Sequence, residues 1–467
     1  MVEKKRNLYI LIVAFVALGS FAFGYSNTII GTTLAQPSFI QASEFECHFW
    51  RDQWPLYRRR TSVLHTSMMC FMSLSCGLTV PIPGSLVLIL ASRASGTEKS
   101  IFIGALTATI GGALQAGSVA LSMFIVFRFV NGLGVGTADS PSSCWREVAA
   151  DGPNNSLVGM LLPLVPLYQS EVSPPHSRGM MVGFHGICVT VGYAAASWVG
   201  FAFYFVNANG AQWRLPLAVQ AIPALFCTIG ILFLPESPRW LISRERSDEA
   251  LRIIQRLHRD ESDPDNTFAY REYQQIRQQY EIDKKNEVSW KDMFVKASYR
   301  KRVIIGVIVM FASQTTGTTV IANYGPELYG ALGFDTTIQL LFSGCYASLA
   351  LCGNCFNALT IDYIGRVNAL RCGWIGDAVA LIGECISLSI FQRTGSHSAA
   401  VASVFFLFLH IALFAFNIDV TTYVYTSEIF PNHIRAKGMA IAIVGYFSSL
   451  IIYLQVAPTA FDAIGWK

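Results

Sequence analysis

The sequence predicts an all-α membrane protein built from two comparable halves, and three observations carry that expectation. Hydrophobic residues make up 52% of the 467 and charged residues only 14%, against about 25% charged in a soluble domain, and the mean hydropathy is +0.43. Apolar runs of about 20 residues, enough to cross roughly 30 Å of hydrocarbon, recur along the chain. One charged pattern occurs twice, each time just after such a run: Glu171 precedes Arg178 by seven positions, and Glu428 precedes Arg435 by the same interval. A transporter assembled from repeated halves shows this kind of internal correspondence.

The runs lie at about 8–31, 101–120, 180–205, 215–234, 302–323, 338–361, 368–391, 400–426 and 437–456. Lipid offers no partner for exposed backbone groups, so each run is expected to be a helix. A further span starts at Leu121, stops after Gly136 and resumes at Met160, and a poorer run at 63–92 brings the expected total to about eleven. The first run is too long for a signal-peptide core and reads as span one. Lys and Arg concentrate in MVEKKRN and in the 242–301 segment, which places both on the cytoplasmic side of what is expected to be the plasma membrane. Within that segment Leu251, Ile254 and Leu257 recur at helical spacing among charges, as in short amphipathic helices. The chain thus divides into a first half at 1–241, a cytoplasmic loop at 242–301 and a second half at 302–467. Eleven cysteines fall mostly in apolar stretches and read as small membrane-embedded side chains. With no nucleotide loop, catalytic triad or metal constellation in the sequence, it predicts neither an enzyme nor a cofactor, and no nucleic-acid partner.

PESPRWL at 235–241 resembles the signature that follows the sixth span of the sugar porters, a family of the major facilitator superfamily, and fungal sugar porters in particular. FRFVNGLGVG (127–136), PLYQSEVSPPHSRG (166–179), DYIGR (362–366) and TSEIFPNHIRAKG (426–438) carry the same resemblance. It implies the major facilitator fold of two six-helix halves. It also implies a monomer that moves a hexose, disaccharide or related polyol by alternating access. Arg128, Glu171, Arg178, Glu236, Arg239, Asp362, Arg366, Glu428 and Arg435 are then expected at cytoplasmic span ends, as carboxylate–guanidinium pairs that latch the halves together. The plainer alternative is that they anchor span ends at the interface.

For the substrate, SQTTGTTVIANYGP at 313–326 is similar to the porter pattern QQLTGINVIIYYGP. Gln314 matches, while Thr319 and Asn323 replace other polar residues. Neutral donors and acceptors in a membrane cavity suit an uncharged polyhydroxylated ligand. His185 in the fifth span and Asn417 in the tenth join them as expected contacts, each at a position where porters carry something else. Interhelical hydrogen bonding is the alternative for all five. Proton-linked porters usually have an Asp where this chain has Ser26, which points to facilitated diffusion. Asp377, Glu384 and Asp419 are apolar-flanked carboxylates, and proton symport through Asp419 is the rival reading.

Three departures from the porter pattern suggest an incomplete or mis-spliced copy. Residues 45–98 place charges and tryptophans where span two is expected. Codons exist for Cys47 to Arg60 whose reading one base later is AISGAINGLYTGGG, similar to a porter span two, so a shifted frame is expected there. Thr137 to Gly159 interrupts span four with polar residues, and its excision rejoins the porter pattern, as a retained intron would allow. The chain also stops after FDAIGWK, before a twelfth span. A defective gene product and a sugar sensor that does not transport are the competing functions.

Overall fold

A computed structural model describes residues 8–41, 97–138, 178–206, 208, 210–257, 266–285, 288–431 and 434–464. The run at 63–92, most of both aberrant segments, and Glu171 lie outside the described residues. The membrane elements of the first half are α1 (Leu8–Leu34), α2 (Thr97–Ala116), α3 (Leu121–Ala138), α4 (Arg178–Tyr204), α5 (Ala211–Val219) and α6 (Ala221–Ile231). Four short helices follow: α7 (Pro238–Ser243), α8 (Ser247–Leu257), α9 (Thr267–Lys285) and α10 (Trp290–Val295). The second half comprises α11 (Ala297–Thr315), α12 (Thr318–Ala331), α13 (Thr336–Ile364), α14 (Arg366–Thr394), α15 (His397–Asn417), α16 (Asp419–Ile429) and α17 (Arg435–Ile464). Among the described residues eight helical segments are long and apolar enough to cross a membrane, with shorter apolar helices at Ile101–Ala116 and Ser122–Gly132. The protein is an all-α, multi-pass membrane protein.

Three runs expected to be continuous are divided, each for a local reason. Between α11 and α12, Gly317 takes φ 80°, a left-handed conformation that glycine adopts without steric cost. The residues before it weaken the ladder further. Ser313, Thr315 and Thr316 donate their hydroxyls back to the carbonyls of Met310, Ala312 and Ser313 at 2.7–2.8 Å, and such bonds compete with main-chain pairing. Between α15 and α16, Ile418 departs from helical angles at φ −103° and ψ −51°. Between α5 and α6 the chain passes Gln220 with Pro216 and Pro223 on either side, and proline removes a ladder donor.

Helices in lipid gain nothing from hiding apolar surface from one another, so they associate where small residues let backbones approach. The α1–α4 pair follows this rule. A Cβ on Gly24 would overlap the Val189 carbonyl, and one on Gly192 would overlap the Phe21 carbonyl. The largest buried cluster then joins the two halves. Tyr25 and Ile29 of α1, Ala196 of α4 and Trp213 of α5 pack with Met310 and Tyr324 of α11 and α12 and with Ala442 and Phe447 of α17. The expected amphipathic helices are present beside the bundle. Ile254 and Leu257 are buried on α8, and Ile254 packs with Leu241, Tyr273 and Ile276 in a satellite core. On α13, Cys352 and Cys355 lie one turn apart as unpaired thiols.

Candidate functional site

The break after α11 gathers three of the five expected substrate residues. Thr319 donates its hydroxyl to Gln314 Oε1 at 2.7 Å, closing the gap across Gly317. Asn323, one turn on, donates its amide to the Thr319 carbonyl at 2.9 Å. These bonds leave polar atoms over: among the described residues Gln314 Nε2 donates to nothing and Asn323 Oδ1 accepts from nothing, and neither atom is sealed from solvent. A neutral donor and a neutral acceptor therefore stand open on the two sides of the break. The α1 backbone closes in on this turn at Gly31, where an added Cβ would lie 2.8 Å from the Asn323 carbonyl.

The other two residues are not bonded to this trio. His185 on α4 is half-buried and pairs through Nδ1 with Ser20 on α1 at 2.6 Å, which leaves Nε2 open. Asn417, at the end of α15, returns its amide to the Leu413 carbonyl at 3.1 Å. Its Cβ lies against Gly373 of α14. Asn417 thus supports the break in its own span and faces a neighbouring helix. Asp419, just past that break, accepts from Asn354 of α13 at 2.8 Å. Asn357 of α13 bonds the Ala415 carbonyl and accepts from Thr421, so both sides of the break hang on one helix.

The charged set divides in the same way. Arg366 donates to Glu428 at 2.9 and 3.2 Å through two nitrogens and contacts Asp362 at 2.8 Å. This ties the α13–α14 turn to the end of α16. Arg239 and Arg435 are exposed, and Glu236 is half-buried with its carboxylate accepting from the Ser237 backbone at 3.1 Å. Arg178 opens α4. Arg128 departs from the expected span-end location. It lies seven residues into α3, is 2% exposed, and donates to the Ser26 carbonyl at 2.6 Å and to the Ser26 hydroxyl at 3.1 Å. The hydroxyl of Ser26 in turn donates to Asn131 at 2.8 Å. A guanidinium in this interior must be held by polar groups from a facing helix, and α1 supplies them.

Two clusters escaped the sequence reading. Lys437, 2% exposed, donates to the Val288 carbonyl at 2.7 Å and sits 5.5 Å from the Trp290 ring centre, fastening α10 to α17. His410 of α15 contacts Asp377 of α14 at 2.5 Å, with the two side chains 0% and 2% exposed. An isolated histidine inside FLFLHIALF was the available signal. Among the described residues no group of three or more metal-binding side chains is present.

The wider comparisons agree with this architecture. A family model described as "Sugar (and other) transporter" matches residues 12–151 and 157–467. It runs through 45–98, and its single interruption falls inside 137–159. The MFS-type transporter criB of Aspergillus cristatus is 30% identical over 427 residues, 91% of this chain and 82% of its own. The sugar transporter STL1 of Saccharomyces cerevisiae is 24% identical over 470 residues, 99% of this chain and 75% of its own. The inward-open xylose transporter XylE from E. coli superposes with a TM-score of 0.69 at 22% identity, covering 96% of this chain and 89% of its own. XylE bound to 6-bromo-6-deoxy-D-glucose gives 0.71 at 23%, covering 99% and 90%. The fold is that of the major facilitators, and the chain belongs to the sugar porter family of transporters.

Proposed function

We propose that the chain carries a neutral hexose, disaccharide or polyol across the membrane by alternating access around the α11–α12 break. One observation carries this reading: Gln314 Nε2 and Asn323 Oδ1 are left open on the two sides of a break that already holds its own bonds. Such a pair matches the donor and acceptor of sugar hydroxyls and carries no charge of its own. XylE's bound ligand, a deoxyglucose, is of the same chemical class. The test is counterflow of labelled sugars and polyols by the full chain in liposomes. Uptake of at least one of them is expected, and failure with every one would defeat the reading. Asp419 supports a second, proton-linked reading, because Asn354 presents it at the break of α15 and α16. A collapse of accumulation on adding an uncoupler would favour it, and unchanged accumulation would remove it.

Arg366, Glu428 and Asp362 serve in this reading as a latch at one face of the bundle, the cytoplasmic one by the distribution of Lys and Arg. Glu428 is half-exposed, and exposed ion pairs contribute about 1 kcal/mol or less. Glu428→Gln is therefore expected to leave the thermal midpoint nearly unchanged. A latch released by that amount should raise amide exchange at 362–371 and 424–430 by about fivefold. Unchanged exchange would reduce the cluster to an interfacial anchor.

A further inference from the structure

His410 and Asp377 are buried side chains of the second half that the substrate site does not use. His410 Nδ1 approaches Asp377 Oδ1 at 2.5 Å, without hydrogen-bond alignment. On its other side Nε2 lies 3.2 Å from the hydroxyl of Thr318, the first residue of α12. The Thr318 hydroxyl is in turn 3.1 Å from that of Thr316, across Gly317. The Thr316 hydroxyl donates to the Ser313 carbonyl at 2.8 Å. A chain of polar atoms thus runs from Asp377 through His410 and Thr318 to the last turn of α11, alongside the Gln314–Thr319 bond.

With Asp377 ionised, Nδ1 keeps its proton, so the chain has a direction only when the imidazole carries a second proton on Nε2. An imidazolium donates from Nε2 to Thr318, which leaves the Thr318 proton for Thr316, whose own proton goes to Ser313. Every contact from His410 Nε2 to Ser313 is then a hydrogen bond, with Asp377 as the counter-charge, and the break is bridged. A neutral imidazole with its proton on Nδ1, toward Asp377, must accept from Thr318 instead. The Thr316 and Thr318 oxygens then face each other at 3.1 Å with no proton between them, unless Thr316 abandons Ser313. The charge balance points the same way. Imidazolium with carboxylate is neutral as a pair, whereas loss of the proton leaves a lone carboxylate in an apolar interior, which is costly without water.

We propose that His410 and Asp377 form a proton-binding site whose occupancy sets whether α12 is joined to α11, so that loss of the proton accompanies opening of the break. The surrounding titratable groups are few. Tyr346 of α13 lies within electrostatic reach of Asp377 and of Tyr329 on α12, and Cys345 lies beside Tyr329. On α14, Glu384 is within reach of His410 and accepts from Ser403 of α15. Neither Asp419 nor Ser26 bonds to this chain; Asp377, one of the three apolar-flanked carboxylates, is paired here with His410.

The inference rests on the transporter reading only for its place in a transport cycle, and its test does not need transport. Amide exchange of residues 316–324 is measured on the full chain in lipid nanodiscs, corrected for intrinsic rates, across about pH 5 to 9. The wild type should show exchange rising several-fold toward the alkaline end. Asp377→Asn can offer Nδ1 either an N–H or a carbonyl oxygen, so the bridge no longer depends on a second imidazole proton, and exchange should not vary with pH. His410→Gln keeps an amide donor toward Thr318 and should stay slow at every pH. The double variant D377N/H410Q carries no buried charge and should also be slow and independent of pH. A wild type without the step, or a step that survives in Asp377→Asn or His410→Gln, would overturn the proposal. Sugar counterflow in parallel liposomes separates the readings: a pH step without counterflow defeats sugar transport and leaves the proton site standing.

Discussion

Gly24→Val is expected to remove most of the folded protein from a detergent extract, while Gly186→Val, also on the α1–α4 pair, leaves it intact. A side chain at Gly24 would run into the Val189 carbonyl, and Gly192 meets the Phe21 carbonyl from the other direction, so the two backbones are fixed against each other at two levels. Overpacking in an ordinary core costs about 1–3 kcal/mol because neighbouring side chains can turn aside. A backbone carbonyl within a helix cannot. The two helices would have to separate along their length, which would also pull Tyr25 and Ala196 out of the cluster that joins the halves. A Cβ at Gly186 meets nothing within 4 Å. The readouts are the monodisperse fraction on size-exclusion chromatography and the thermal midpoint. Equal behaviour of the two variants would show that close approach does not hold α1 to α4.

Spans, breaks and buried pairs each leave a different kind of signal in the sequence. Hydropathy reveals a span because about 20 apolar residues are the physical requirement for crossing. It does not reveal a break, since SQTTG and FNIDV remain apolar enough on average to pass as continuous helix. The breaks are set by hydroxyls that bond backwards and by one left-handed glycine, and hydropathy averages these away. Gln314, Thr319 and Asn323 stand close in sequence, at intervals of five and four, and the break links them by hydrogen bonds. For Asn417 the sequence left the neighbour open, because which helix a polar side chain meets depends on the rotation of its own, here toward Gly373 of α14. Arg128 shows the same limit. Its motif suggested a span end, whereas its partner, Ser26, lies 102 positions earlier on another helix. Asp377 stood out as a carboxylate among apolar residues, but its partner His410 lies 33 positions on in another helix, a pairing that spacing does not show.

Gln314→Ala is expected to raise the KM for the transported sugar by about tenfold or more while leaving the maximal rate within a few-fold. Gln314 has two tasks at the break. Its Oε1 accepts from Thr319 and so sets the position of α12, and its Nε2 stands open. Each neutral hydrogen bond contributes about 0.5–1.5 kcal/mol net, so losing one bond to the sugar and the positioning of Thr319 together gives a change of that order. Thr319→Val separates the two tasks, because it deletes the positioning bond and leaves the Gln314 amide in place. If Gln314 touches the sugar, Thr319→Val should weaken affinity less than Gln314→Ala does. Equal losses would show that Gln314 acts only through the geometry of α12. An unchanged KM in Gln314→Ala would move the binding site away from the break. His185 would then be the next residue to examine, since its Nε2 is open on α4 while Ser20 holds the other side of the ring.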